Sequence, residues 1–329
     1  MRAPPRFLLL SSLALLTCGG SAACGGSGAS ADATGGGSST SDATGSESGA
    51  SETETGPDGE TETETGTDTQ DTGDPPGNLL LSDRQLNIAH RGGGRLRPEA
   101  TLPAFEHALA IGADVIEFDL HASADGAVVV IHDDTVDRTT DGTGMVAAMT
   151  LAELQALDAG YQFTPDGGAT FPYRGMGIQI PTLDAVLDAF PDEYYLIEIK
   201  QSEPSIVPQV LASLDAHGVG DRVVLASFQQ VTIDEVRATA PDRFTALSFD
   251  EMVDFYAAID DPGYVPPAVF LQAPWEVVDA ELVGFAHSLG MIVHPWTANS
   301  EALMHDLIDL GVDGIMTDDP ELLAAALGG

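Results

Sequence analysis

Between Ile88 and Asp133 the chain reads IAHRGG, VIEFDLH and VVVIHDD. Two histidines (His90, His132), two carboxylates (Glu117, Asp119) and Arg91 therefore stand at the ends of three short apolar runs. A fourth run, YYLIEIK, adds Glu198 and Lys200 in the same way. Glu117 and Asp119 lie two residues apart, so on a strand both point to one face, and Glu198 and Lys200 repeat that spacing. Three carboxylates facing one interior repel one another unless a cation lies among them, and an all-oxygen donor set selects a hard ion such as Mg2+ or Ca2+. Two imidazoles can divide base and acid work near neutral pH, one taking a proton from a nucleophile and the other giving one to a leaving oxygen. Arg91 can grip a phosphate with its planar fork, and Lys200 can add charge as it develops. A single E-x-D is most often a surface or salt-bridged pair, and a lone strand-end histidine is most often structural. It is the combination that points to catalysis.

The elements that must position these groups follow from the apolar pattern. From Leu86 onward, strand-like runs (LNIAHR, VIEFDLH, VVVIHD, YYLIEIK, RVVLASF, FTALSF, AVFLQA, IVHPWT, GIMTD) alternate with amphipathic stretches such as ATLPAFEHALAIGA, TLDAVLDAF, SIVPQVLASLDAHG and SEALMHDLIDLG. Repeated strand–helix units over residues 84–329, with no GxGxxG after the first strand, predict an α/β fold: a (β/α)8 TIM barrel rather than a doubly wound sheet. Nine runs are one too many. VIEFDLH and VVVIHD are separated by only six residues, too few for a parallel crossover, and Asp125-Gly126 is a two-residue hairpin signal. The third run should fold back antiparallel on the second, and centring the turn on Asp125-Gly126 sets His132 directly opposite Asp119. Residues 134–180, loop-rich and long for a barrel connection, should form a small inserted subdomain over the strand ends.

The other histidines read as bystanders. His107, His217, His287 and His305 fall in helical stretches outside the barrel, while His121, by strand parity, and His294, near Trp296, could approach the pocket without a direct role. Phe228, after Ala-Ser, reads as packing.

The N-terminal quarter is of a different kind. Residues 1–24 carry Arg2 and Arg6, then FLLLSSLALL, then small residues with Cys18 and Cys24, which reads as an export signal too short to span a membrane. Lipidation at Cys18 or Cys24, plain cleavage after Ala23, and a retained anchor are the alternatives, and each puts the domain at or beyond a bacterial cell envelope. Both cysteines of the chain lie here, so the remainder can form no disulfide and no thiolate metal site. Residues 25–78 are nearly all Gly, Ser, Thr, Ala, Asp and Glu without Lys or Arg, which predicts a disordered acidic linker reaching roughly 40 Å. The formal charge of −40 argues against nucleic acid and against direct adhesion to anionic lipid, leaving a lipid anchor as the membrane link. An anionic substrate is then compatible only where a cation or basic side chains reverse the field, and the chain's one lysine is Lys200.

HRGGG, PEAT, IEFDLHASADGAVVVIHDDTVDRTTDGTG, LIEIK, ASF, PWT and GVDGIMTDDP, in that order across residues 86–326, resemble the glycerophosphodiester phosphodiesterase family. The resemblance implies a barrel with a small inserted subdomain and a metal-dependent hydrolase that cuts glycerophosphodiesters to glycerol 3-phosphate and an alcohol. It implies His90 and His132 as the acid–base pair, Glu117, Asp119 and Glu198 as metal ligands, and Arg91, Lys200, Glu99 and Trp296 as substrate contacts. One departure is Ala100, where the family usually has Asn, which bears on loop geometry or substrate preference more than on catalysis. Two rival readings remain: a phospholipase D-like activity on lysophospholipids or sphingolipids, and a surface module that binds glycerophosphoryl polymers without cutting them.

Overall fold

The computed structural model describes residues 77–328. The export signal with Cys18 and Cys24, and the linker up to residue 76, lie outside the described residues. Among the described residues, no helix is long and apolar enough to cross a membrane.

Strands β1 (Leu86–Ala89), β2 (Val115–Ala122), β4 (Tyr195–Ile199), β5 (Val223–Ala226), β6 (Phe244–Thr245), β7 (Phe270–Leu271), β8 (Ile292–Val293) and β9 (Gly314–Thr317) are the eight parallel strands of a TIM barrel. Their order runs β6-β5-β4-β2-β1-β9, with β7 paired to β8. The ring closes through Leu247 N–H to Phe270 O (2.9 Å) on one side, and through Asp313 N–H to Val293 O and Met316 N–H to Pro295 O (both 3.0 Å) on the other. Helices separate the strands, and small-residue caps mark their ends: Thr182 caps Leu183–Ala189, Ser300 caps Glu301–Leu310, and left-handed Gly218 and Gly311 end Val207–His217 and Glu301–Leu310. The apolar periodicity did not single out the helix Phe249–Ala257, but its capping box, Ser248 with Glu251, is written in the sequence as S-x-x-E.

Strand parity sorts the barrel into two layers. Outward residues such as Ile116, Phe118, Leu120, Ile197 and Leu225 pack against helix residues Phe105, Leu183 and Leu214. Inward residues Ile88, Val115, Leu196, Val224 and Met316 fill the lower interior. Two residues further along three of these strands the inward position becomes charged or ionisable: His90 after Ile88, Glu117 after Val115, Glu198 after Leu196. An apolar plug thus supports a polar rim at the C-terminal ends of the strands, the face on which barrels carry their sites.

The extra strand β3 (Val128–Val130) pairs antiparallel with β2, but one residue out of the expected register. Leu120 faces Val130 and His121 faces Val129, and Ile131 N–H donates to Asp119 O at 3.0 Å, so the residue across from Asp119 is Ile131 and not His132. The cause is the turn. Ser123 N–H bonds Ala127 O, and the Ser123 hydroxyl oxygen accepts the Ala127 N–H (both 2.9 Å), which closes a three-residue loop with Gly126 at φ 83°. A slip of one residue would put His132 on the wrong face. It reaches the interior only because the ladder ends with the Ile131–Asp119 bond and the chain bends away.

Residues 134–180 form a layer with its own small core, in which Val136, Val146, Leu154, Ile178 and Ile180 pack on Val129 and Ile131 of the hairpin. A short helix, Leu151–Gln155, starts in a capping box of Thr150 and Glu153.

His294 sits inside the barrel, 1% exposed, against Phe270 and Gly314, with neither ring nitrogen hydrogen-bonded to a protein group. Burial pushes its pKa down to about 4. An unfolded imidazole titrates near 6.5, so as pH falls the unfolded chain takes up the proton first. The stability that His294 contributes is therefore complete above pH ~6.5 and is lost as pH falls toward 4, by about 3 kcal/mol. Urea unfolding at pH 7 and pH 4.5 should show wild type losing stability over that interval by roughly this much more than His294→Leu, and parallel losses would refute the assignment.

Candidate active site

The rim of the barrel encloses a cleft of about 750 Å³, and eight of the nine residues singled out from the sequence line it: His90, Arg91, Glu117, Asp119, His132, Glu198, Lys200 and Trp296. Parallel pairing sets Asp119 beside Glu198. Glu117 and Asp119 are 3% and 1% exposed. Such a group of acids persists only with positive charge close by, and Lys200 supplies it: Nζ lies 2.7 Å from Glu198 Oε2 and 3.1 Å from Asp119 Oδ1. Burial would raise the Asp119 pKa, but Lys200, His132 and Arg91 overcome it and hold the carboxyl well below its usual range. Glu117 lacks such a contact. Burial, then the Asp119 charge, pushes it up to about 7.

The loop after β1 is shaped to serve Glu117. Arg91 adopts a left-handed conformation (φ 52°), which turns its amide so that N–H donates to Glu117 Oε2 at 2.7 Å. Its guanidinium bonds Glu99 Oε1 through Nη1 at 3.1 Å, and Nε stands 3.7 Å from Asp119 Oδ2, too far for a hydrogen bond. The glycines that follow have a packing duty. A Cβ on Gly92 would stand 2.6 Å from Phe105 Cδ1, and one on Gly93 2.9 Å from Pro320 Cδ. Glu99 itself is not part of the cleft lining; it stands behind Arg91 and is shared with Arg138.

Each cleft histidine is held at Nδ1 by a carboxylate. His90 Nδ1 lies 2.5 Å from Asp318 Oδ1, and Asp318 in turn is held by Asn299, whose amide donates to Oδ2 at 2.6 Å. His132 Nδ1 lies 2.6 Å from Asp133 Oδ1. Burial would lower the pKa of His90, but the charge of Glu117 and the hydrogen bond to Asp318 raise it above the ordinary value. With Nδ1 engaged, Nε2 of each ring is left for chemistry. His121 does not line the cleft; its Nε2 hydrogen-bonds the backbone oxygen of His132 at 3.2 Å.

Sequence reasoning missed Asp133 and Asp318, the carboxylates on the cleft histidines, and Arg138 and Asn299, which hold those carboxylates, although Asp133 follows His132 directly and Asp318 stands in the TDDP run. It also set Phe228 aside as packing, yet Phe228 lines the cleft. Its ring meets Trp296 edge-on at 5.9 Å and stacks on Phe249 at 6.4 Å, which makes one wall aromatic and the other charged.

The donor set suits a hard divalent ion in chemistry: three carboxylates on adjoining strands, with Asp119 Oδ2 buried and without a hydrogen-bond partner. As the side chains stand, no group of three His, Cys, Asp or Glu among the described residues is placed to hold an ion. The Lys200 ammonium lies against both Asp119 and Glu198.

Residues 90–322 match the family model described as the glycerophosphoryl diester phosphodiesterase family. A glycerophosphodiester phosphodiesterase of Bacillus subtilis is 35% identical over 260 residues, covering 75% of this chain and 87% of the relative. The crystal structure of a glycerophosphodiester phosphodiesterase from Agrobacterium tumefaciens aligns with TM-score 0.62 at 29% identity, over 74% of this chain and 99% of its own. An Oleispira antarctica phosphodiesterase, in complex with the product sn-glycerol-3-phosphate, aligns with TM-score 0.62 at 25% identity, over 74% and 96% of the two chains.

Ala100 stands at φ 57° and is 6% exposed, and its N–H closes the loop on Arg91 O at 2.9 Å. A left-handed alanine costs about 1–2 kcal/mol, and glycine relieves this while adding about 0.4–1 kcal/mol of unfolded-state entropy. Ala100→Gly should therefore raise stability by about 0.5 kcal/mol in urea unfolding; a loss of 1 kcal/mol or more would show that the methyl packs to better effect than the strain costs.

Proposed function

The chain belongs to the glycerophosphoryl diester phosphodiesterase family, and from that premise we propose that it hydrolyses glycerophosphodiesters to glycerol 3-phosphate and an alcohol by metal-dependent, two-histidine acid–base catalysis. The observation that carries the reading is the pair of imidazoles, each held at Nδ1 by its own carboxylate and both lining the cleft that holds Glu117, Asp119, Glu198, Arg91 and Lys200. Arg91 and Lys200 draw the phosphodiester in against the strongly negative field of the chain. One imidazole takes the proton of the attacking water or substrate hydroxyl at Nε2, and the other delivers a proton to the departing alkoxide. Trp296 and Phe228 exclude water on the side where the glycerol carbons rest. Mg2+ or Ca2+, held by Glu117, Asp119 and Glu198, would supply Lewis-acid neutralisation of the phosphodiester charge.

The apolar wall of Phe228, Leu247, Phe249, Met252 and Trp296 favours one second reading, phospholipase D-like cleavage of a lysophospholipid whose chain lies along it. The proposal extends to location: the charged and apolar start of the chain supports export to a bacterial cell envelope, with lipid at Cys18 or Cys24 as the tether or release after cleavage.

Glycerophosphocholine and lysophosphatidylcholine, each assayed with wild type, His90→Ala and His132→Ala, test this reading. Both variants should lose about 10²- to 10⁴-fold in kcat without a shift in unfolding midpoint. Equal phosphodiester loss in wild type and His90→Ala would remove the acid–base role, and turnover of the lipid alone would select the second reading. Chelation by EDTA should abolish hydrolysis, with recovery on adding Mg2+ or Ca2+; full activity after chelation would eliminate the metal.

A further inference from the structure

We propose that Arg138, in the first turn of the inserted segment, is a positioning residue that locks His132 and Arg91 into their working orientations at the same time. The inference rests on the acid–base role proposed for His132. Arg138 does not line the cleft, and its side chain is 45% exposed, so it has no direct claim on substrate. Its guanidinium nonetheless makes four hydrogen bonds. Nε donates to Asp133 Oδ2 at 2.7 Å and Nη2 to Asp133 Oδ1 at 3.1 Å, while Nη1 donates to Glu99 Oε2 at 2.6 Å and Nη2 also to Glu99 Oε1 at 2.8 Å. Two carboxylates are thus gripped in bidentate fashion by one planar group.

Each carboxylate has a second client. Asp133 Oδ1 holds Nδ1 of His132 at 2.6 Å, and Glu99 Oε1 accepts from Nη1 of Arg91 at 3.1 Å. An unbroken chain therefore runs Arg91–Glu99–Arg138–Asp133–His132, joining the loop after β1 to the bend after β3. His132 and Asp133 are consecutive residues on a bent segment beyond the last ladder bond, so backbone pairing does not hold the Asp133 carboxylate at the ring. The guanidinium fork does. On the other arm, Arg138 satisfies both oxygens of Glu99, which leaves Arg91 bound to Glu99 by a single hydrogen bond and free to face a phosphate. A lysine could keep the charge but not both planar contacts.

The test compares wild type with Arg138→Gln, Arg138→Lys, Asp133→Asn and the Arg138→Gln/Asp133→Asn double variant. Steady-state kinetics on glycerophosphocholine are combined with 15N NMR of the His132 ring. Misaligning an acid–base group should lower kcat about 10- to 100-fold in both Arg138 variants, with KM moved by less than about 5-fold. The loss in the double variant should fall well short of the product of the two single losses, because both changes break the same arm to His132. The NMR should show His132 passing from one Nδ1-protonated tautomer to a mixture. Should Arg138→Gln unfold, Arg138→Lys carries the same comparison. Multiplying losses in the double variant, full kcat in Arg138→Lys, or an effect confined to KM would each overturn the proposal. If wild type turns over no glycerophosphodiester, the functional reading fails by itself, and the tautomer comparison alone decides the positioning.

Discussion

The constraint on which the site depends is repulsion among buried acids. Glu117, Asp119 and Glu198 project into one end of a barrel whose lower interior is filled with Ile88, Val115, Leu196, Val224 and Met316. A carboxylate in that setting is costly unless countercharge lies within a few ångströms. Lys200 satisfies Asp119 and Glu198 directly, whereas Glu117 has only a backbone amide and keeps a pKa near neutrality. The same placement that makes the acids expensive for the fold gathers them in the cleft that both imidazoles line. In a chain with a formal charge of −40, this small cluster of basic groups is what allows an anion to enter.

The barrel supplies only part of the site. β1, β2 and β4 present His90, Glu117, Asp119, Glu198 and Lys200 on rigid backbone, in a register set by hydrogen bonds between neighbouring strands. His132 comes from the hairpin excursion, and its orientation depends on a bend, on Asp133 and, through Asp133, on the inserted segment. That segment packs through its own small core on Val129 and Ile131 and returns Arg138 to the rim. The two histidines are held to the same pattern by unlike means: His90 through Asp318 and a neutral Asn299 amide, His132 through Asp133 and a charged guanidinium.

Much of this was legible in the chain itself. Alternation of apolar runs with helical stretches gave eight parallel strands plus one surplus run, and the short spacer before VVVIHD identified the surplus. Period-two spacing placed Glu117 with Asp119 and Glu198 with Lys200 on inward faces, because side-chain alternation along a strand is local geometry. The hairpin register did not follow, since the Ser123 hydroxyl and Gly126 close a three-residue turn where Asp-Gly alone suggests two. Phe228 reads as ordinary packing, because an aromatic after a strand carries no mark of whether it faces a helix or a cleft.

What the sequence determined by itself, then, is whatever follows from chain-local rules: strand and helix periods, inward parity, and the residue types able to move protons and hold an ion. Tertiary structure alone decided which distant groups meet. Asp318 finds His90 across the closing seam of the barrel, Arg138 ties Glu99 to Asp133, and His132 enters the cleft by leaving its strand. Those contacts join segments tens to hundreds of residues apart, and no spacing rule reaches that far; they exist because the sheet closes on itself and brings first and last strands side by side.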